Sequence, residues 1–413
     1  MRAKQEALKP PDVYLMGIVL TLVGVGVLLV FDASYARMAD AKWANNDIWY
    51  MAKRQLVYAA IGLLVMFAAS RTRLTTLLKA TVPLLVLSFL LLVAVLLVGT
   101  EINGAKRWLK AGPVCFQPSE LAKLALVLYL AGVLAQRKMR VRRMSMGWAA
   151  PLCVIATTLL LIFAEPDLGT TLALAGACFL MFYAAGAMKR HLFLAIGGVG
   201  GLCWLAVRMA PYRLERIRVW LDPWRDPYGE GYQIIHSLIA LGTGGLRGVG
   251  LCEGREKLYI PAASTDFIFS TLGEEAGFVG GLLVLALFVL FVYRGLDIGR
   301  RCKSTYPNMV AVGVTSAVGL QALINIAVVS AAIPATGVPL PFVSYGGSSL
   351  VSMLAGVGIL LAVSRQVNVT LDDREIYENS FDGWRDGRAC LSGYKRSSSS
   401  ARSRAGRGVA VRR

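Results

Sequence analysis

One aspartate stands at the edge of a long apolar run in "KLYIPAASTDFIFSTLGEEAGF" (257–278). A carboxylate at a membrane boundary is costly unless something uses it. On a helix beginning near Thr265, Ser270, Gly273 and Gly277 lie within about 40° of the direction of Asp266 at 100° per residue. A carboxylate over such a groove of small residues has room for a substrate. The competing expectation is that Asp266 only favours the helix N-terminal dipole, with Ser264 or Thr265 as cap. Glu274 and Glu275 fall roughly 12 Å further along that helix, where they must be paired or hydrated, as bundle supports or as chemistry.

Other polar groups interrupt apolar sequence in the same way. The loop "GTEINGAKRWLKAGPVCFQP" (99–118) sets Lys106, Arg107 and Lys110 beside Trp108, an arrangement suited to a phosphate-bearing lipid headgroup or to ordinary snorkelling. Glu120 and Lys123 are three residues apart, hence neighbours on one helix face looking into the bundle or a wet cavity. In "AEPDLGTT" (164–171) Asp167 is expected to cap the following helix. The glycines of "GTGGLRGVG" let backbone amides approach an anion near Arg247, or simply make a flexible turn. The loop "IPATGVPLPFVSYGGSS" (333–349) is rigid and shaped, able to line a cavity or receive a partner.

The elements that must position these groups are set by composition. Of 413 residues 56% are hydrophobic and 17% charged, and the mean hydropathy is +0.58, the signature of an integral membrane protein. Apolar stretches approaching the roughly 20 residues of a helical span occur near 12–31, 55–69, 78–98, 119–135, 147–164, 168–186, 192–210, 267–293, 309–333 and 348–364. The expectation is an all-α protein of about ten transmembrane helices. The long extracytoplasmic loop between spans 7 and 8, residues 211–266, has an Arg-, Trp- and Tyr-rich start and a stretch, "IIHSLIALGTGGLRGVG", fit to lie in or re-enter the interface.

Lys and Arg collect in alternate connections: Arg71, Arg73 and Lys79; "QRKMRVRR" (136–143); Lys189 and Arg190; "RGLDIGRRCK" (294–303). The positive-inside bias therefore puts both termini in the cytoplasm. The domain reading is a cytoplasmic segment 1–11, a membrane domain 12–366, and a basic, disordered cytoplasmic tail 367–413. The net charge of +19 is read as topology-setting and facing anionic membrane lipids, with no nucleic acid as partner. The amino terminus loosely imitates a cleavable signal, but its apolar run is long and reads as an uncleaved first span. Seven cysteines and two histidines make no metal pattern; only Cys115 and Cys252 are expected to face outward, where free thiols are favoured over a disulfide between them.

The motifs "NGAKRW", "QPSELAK", "PDLGT", "RVWLDPWRDPYGEGYQIIHSLIALGTGG", "KLYIPAASTDFIFSTLGEEAGF" and "GVPLPFVSYGGSS" together resemble the SEDS family of bacterial cell-wall polymerases, more like its FtsW than its RodA members. The likeness covers residues 12 to 366 in order. It implies a ten-span SEDS fold in the bacterial cytoplasmic (inner) membrane, at the division septum. It also implies a peptidoglycan glycosyltransferase that polymerises lipid II with a class B penicillin-binding protein among other divisome membrane proteins. Asp266 matches the family's essential outer aspartate. Where the family usually writes "PEAHTDFIF", this chain has "PAASTDFIF", so Ala262 and Ser264 replace a glutamate and a histidine.

The implied chemistry is inverting attack of a sugar hydroxyl on an anomeric carbon that bears diphosphate. Asp266 would be the general base. Arg107, Lys110, Arg213, Arg216, Arg247 or Lys257 would neutralise the leaving group, with Glu120, Lys123 and Ser270 as further substrate contacts. No cofactor is certain, and a divalent cation sharing the work is possible although no carboxylate cluster announces a site. The alternatives are a lipid II flippase using Glu120 and Lys123, a division scaffold using the 333–349 loop and the tail, and an elongation-type role.

Overall fold

The computed structural model describes residues 9–39, 47–102, 105–112, 114–136, 149–209 and 211–368. Helices occupy every stretch expected to span: α1 Val13–Ala39, α2 Tyr50–Ser70, α3 Leu74–Val98, α4 Pro118–Gln136, α5 Ala149–Ala164, α6 Leu168–Ala184, α7 Lys189–Met209, α10 Ile268–Arg301, α11 Thr305–Val329 and α12 Gly347–Arg365. Two more, α8 Pro211–Leu221 and α9 Tyr232–Gly244, fill much of the long loop. Among the described residues seven helices (α1 to α4 and α10 to α12) are long and apolar enough to cross a membrane, while α5 and α6 are apolar but shorter. This is a multi-pass membrane architecture. The basic tail, the charged run 137–143 and residues 1–8 lie outside the described residues.

Helix α4 forms the axis of the bundle, buried almost without break from Ser119 to Ala135. The faces of α2 and α3 that look away from it expose Leu64, Phe67, Leu90 and Leu97, as apolar side chains do where the surroundings are hydrocarbon rather than water. Small residues set the close approaches: any side chain at Gly62 would strike Leu354, and one at Gly358 would strike Met66, so α2 and α12 lie backbone against backbone. The first apolar run forms a single helix, with Leu15, Val19 and Leu22 fully buried.

At the end of the bundle remote from Asp266 the chain enters and leaves side by side. The Asp12 amide donates to Ser364 Oγ at 3.2 Å, Arg294 clamps the Asp12 carboxylate through Nε at 3.1 and 2.9 Å, and Gln366 bonds Leu74 and Thr72.

Four features depart from the sequence expectation. A small antiparallel sheet, ordered β1 Thr100–Ile102, β2 Ala105–Ala111, β3 Val114–Phe116, stands between α3 and α4, where the residues around Trp108 pair with their sequence neighbours on both sides. Helix α10 begins at Ile268 rather than near Thr265, with no side-chain cap; Thr265 Oγ1 bonds back to Ala262. The 333–346 loop folds into the bundle, burying Val338, Leu340, Phe342 and Val343, so its centre offers no docking surface. Finally, α10 is broken at Gly277 (φ 66°).

That break exposes backbone groups, and the segment after α9 takes them up. Phe278 and Val279 amides donate to the Gly245 and Leu246 carbonyls at 2.8 and 3.2 Å, and Val249 and Gly250 amides donate to Glu274 and Glu275 carbonyls at 3.0 and 3.1 Å. A broken helix is tolerated at membrane depth only where protein re-satisfies the backbone in this way.

Candidate active site

Asp266 lies in the turn that leads into α10, half-buried. Its main-chain oxygen accepts from Asn325 Nδ2 at 2.7 Å, and the same nitrogen donates to the Val338 carbonyl at 2.8 Å. Four residues earlier on α11, Gln321 Nε2 donates to the Pro339 carbonyl at 3.0 Å. Spacing of four puts both amides on one helix face, and that face holds the inward-folded loop against the aspartate. At Gly337 the loop comes close to the carboxylate: a side chain there would reach within 3.6 Å of Asp266 Oδ2, and its φ of +73° admits glycine with least strain. Ser344 Oγ donates to the Thr265 carbonyl at 2.5 Å, and the Tyr345 amide to that of Ser264 at 2.8 Å. The catalytic candidate is thus held on its backbone, and among the described residues its carboxylate makes no hydrogen bond or ion pair.

Charges of both signs surround that carboxylate. Burial and the Asp167 carboxylate raise its pKa to about 6, opposed by Arg107 and Arg216. Asp167 is held as a helix cap, its Oδ1 accepting from the Thr170 amide at 3.0 Å, as its place before α6 led one to expect. Arg107 projects from β2 and donates through Nε to the Glu165 carbonyl at 3.0 Å and through Nη2 to the Pro166 carbonyl. Arg216, exposed on α8, reaches the Ala335 carbonyl at 3.4 Å and stands 3.8 Å from Glu230. Strand, turn, amphipathic helix and loop thus meet at one carboxylate, the arrangement needed to take a proton beside a departing anion.

The remaining expected site residues lie elsewhere. Lys110 is exposed on β2. The side chain of Arg213 lies outside the described residues. Arg247 is exposed beside the Gly277 break, about 15 Å along α10 from Asp266, and does not join the cluster. Lys257 is a correction: its ammonium is buried between Asp32 at 2.6 Å and Glu275 at 2.5 Å, so it anchors the loop to α1 and α10 and has no free charge for a phosphate. Ser270 is another, fully buried with its hydroxyl bonded to the Phe267 carbonyl at 2.6 Å. The groove of small residues is filled from within: a side chain at Gly273 would strike Leu241, and one at Gly277 the backbone of 246–248. Glu274 and Glu275 serve as supports, accepting amides from Cys252, Gly254, Arg255 and Glu256.

Glu120 and Lys123 form a buried pair at 3.0 Å, and Lys123 donates to Gln321 Oε1 at 2.8 Å. Through Gln321 this pair braces the loop beside Asp266. The cavity next to it, lined by Leu124, Val127, Val318 and Met353 among others, is about 40 Å³, room for a few waters. Cys115 and Cys252 are both free thiols. Among the described residues no group of three or more His, Cys, Asp or Glu side chains is placed to hold a metal ion.

Sequence reasoning passed over Asn325, Gln321, Gly337 and Glu165. The signal for the first two was present: two amides four residues apart inside an apolar span are costly unless they bind something.

The fold and site define a multi-pass membrane protein with a carboxylate, flanked by charges of both signs, clamped by its backbone at one end of the bundle. The chain belongs to the FtsW/RodA/SpoVE family, described as cell cycle protein, whose model matches residues 13–369. Among curated relatives it is 44% identical to Stage V sporulation protein E of Bacillus subtilis, over 86% of this chain and 97% of that one. It is 38% identical to a probable peptidoglycan glycosyltransferase FtsW of Geobacter sp. (strain M18), over 86% and 96%. Among solved structures, a chain from a peptidoglycan synthase complex coordinating polymerization and crosslinking superposes with a TM-score of 0.72 at 33% identity, covering 87% of this chain and 99% of that one. The rod shape determining protein RodA of Thermus thermophilus gives 0.64 at 30%, covering 87% and 98%.

Proposed function

We propose that this protein is a peptidoglycan glycosyltransferase that polymerises lipid II, with Asp266 as the general base. The placement of Asp266 carries the reading: a half-buried carboxylate, held only by its backbone, faces Arg107 and Arg216. Asp266 takes the proton of the acceptor sugar hydroxyl as that oxygen attacks the anomeric carbon from the face opposite the diphosphate. Arg107 and Arg216 stabilise the charge that builds on the diphosphate oxygens. A diphosphate leaves as an anion, so no acid is required.

Family membership and the likeness to a chain of a peptidoglycan synthase complex support a class B penicillin-binding protein as partner, with the bacterial cytoplasmic membrane as location. They also support a ten-span membrane domain, both termini cytoplasmic, the 211–266 segment outside, and work at the septum alongside other division proteins. One relative, 44% identical, is named for sporulation, which supports sporulation beside division as a second setting for the same reaction. A flippase reading draws no support from the Glu120 and Lys123 pair, which is closed onto Gln321.

The test is polymerisation of purified lipid II by the purified protein with its cognate penicillin-binding protein, whose own activity is blocked. Wild type makes glycan chains and folded Asp266→Asn makes none. Equal chains from both would remove Asp266 from the chemistry; none from an assembled wild-type pair would refute polymerisation.

A further inference from the structure

Glu165 occupies the turn between α5 and α6 and is 0% exposed, yet neither carboxyl oxygen has a hydrogen-bond partner among the described residues. Such a group is expensive as an anion and far less so as a neutral acid. The charged groups that face it are Asp167 from its own turn and Arg107 from β2. Both also act on Asp266.

Arg107 does not pair with the Glu165 carboxylate; it spans the turn by bonding the main-chain carbonyls of Glu165 and Pro166. Were Glu165 ionised, a buried negative charge would lie against that guanidinium and draw it into an ion pair. It would also add a third anion beside Asp167 and Asp266.

We propose that Glu165 is a positioning residue of the transfer site, a buried carboxyl that keeps its proton and so leaves Arg107 directed at Asp266 and the leaving group. Resting on the glycosyltransferase reading above, this assigns the site a second carboxyl with no contact to substrate. The proton is retained through turnover, and its loss disables the site by misdirecting Arg107. Burial first, then Asp167, raise the Glu165 pKa to about 8, with Arg107 acting against them. The neutral form therefore prevails below that pH and the anion above it.

Two measurements decide the matter. In the polymerisation assay the wild-type rate should fall on the alkaline side with a midpoint near 8. Glu165→Gln, which is permanently neutral and of the same shape, should retain activity at pH 7 and lose that alkaline fall. A folded Glu165→Gln that is inactive at every pH, or one that keeps the alkaline fall unchanged, overturns the proposal. Independently of activity, infrared difference spectra of wild type minus Glu165→Gln at pH 7 should show one carboxylic-acid carbonyl band that vanishes as pH is raised. Its absence overturns the proposal even in an active enzyme. Its presence in a wild type that makes no chains supports the protonated Glu165 and locates the failure in the glycosyltransferase reading.

Discussion

Asn325 holds Asp266 by its main chain, donating from Nδ2 at 2.7 Å while the same nitrogen reaches Val338 at 2.8 Å. One buried amide thus fixes the distance between the turn that carries Asp266 and the loop facing it. Asn325→Leu strands two buried carbonyls, at about 1–3 kcal/mol each. The expected result is a fall in kcat of roughly ten- to hundredfold, at about 1.4 kcal/mol per decade, with KM for lipid II little changed. A folded variant with normal kcat would show that the turn is fixed by other bonds.

The pH profile should report Asp266 on its acid side. A base works only when ionised, so the rate should rise through about pH 6. Asp167→Asn keeps the helix cap but removes an anion that raises this pKa, moving the midpoint down. Arg216→Gln removes a cation that lowers it, moving the midpoint up. Shifts in the same direction would contradict this arrangement of charges.

Gly337 tests the space before the carboxylate without altering any charge. Its φ of +73° and its approach to Asp266 Oδ2 mean that Gly337→Ala adds backbone strain of about 1–2 kcal/mol and a methyl in contact with the base. Crowding of the carboxylate by that methyl should lower polymerisation about tenfold, about 1.4 kcal/mol at the barrier, and the strain should lower thermal stability, while assembly with the penicillin-binding protein, measured by co-purification, is unchanged.

Lys257 should prove a matter of stability. Breaking a buried ion pair by removing one partner costs about 3–5 kcal/mol, so Lys257→Met should unfold at markedly lower temperature in detergent. Adding Asp32→Asn and Glu275→Gln should recover part of that loss, since the stranded anions are gone. A Lys257→Met protein of wild-type stability but with weakened lipid II binding would restore the phosphate-contact role denied to it here.

The sequence made the bundle legible because apolar length alone marks a span, and every expected stretch is helical. It drew attention to Asp266 because a carboxylate at a membrane boundary is costly unless something uses it, but it left six basic residues as equal candidates, of which the structure brings Arg107 and Arg216 to bear on that carboxylate. It misassigned Lys257 and Ser270 because hydropathy and helical angle say nothing about which element packs opposite. Lys257 meets Asp32 from 225 residues away, and the glycines under Asp266 were spent on α9 rather than on a substrate. Asn325 and Gln321 escaped because their partners are backbone carbonyls of a distant loop, which no side-chain pattern records. Glu165 escaped because a turn of three residues looks like a connector until its carboxyl proves to be enclosed.

The break in α10 has a consequence for how the chain is made. Residues 274–279 have their backbone completed by residues 245–250, which leave the ribosome first. When the second half of α10 enters the bilayer, the segment that satisfies its interruption is therefore already synthesised. Without it, bare amides and carbonyls would sit in hydrocarbon at several kcal/mol each. The two segments must enter as one unit, so a long insertion between Gly250 and Glu274 should impair membrane integration before it has any effect on catalysis.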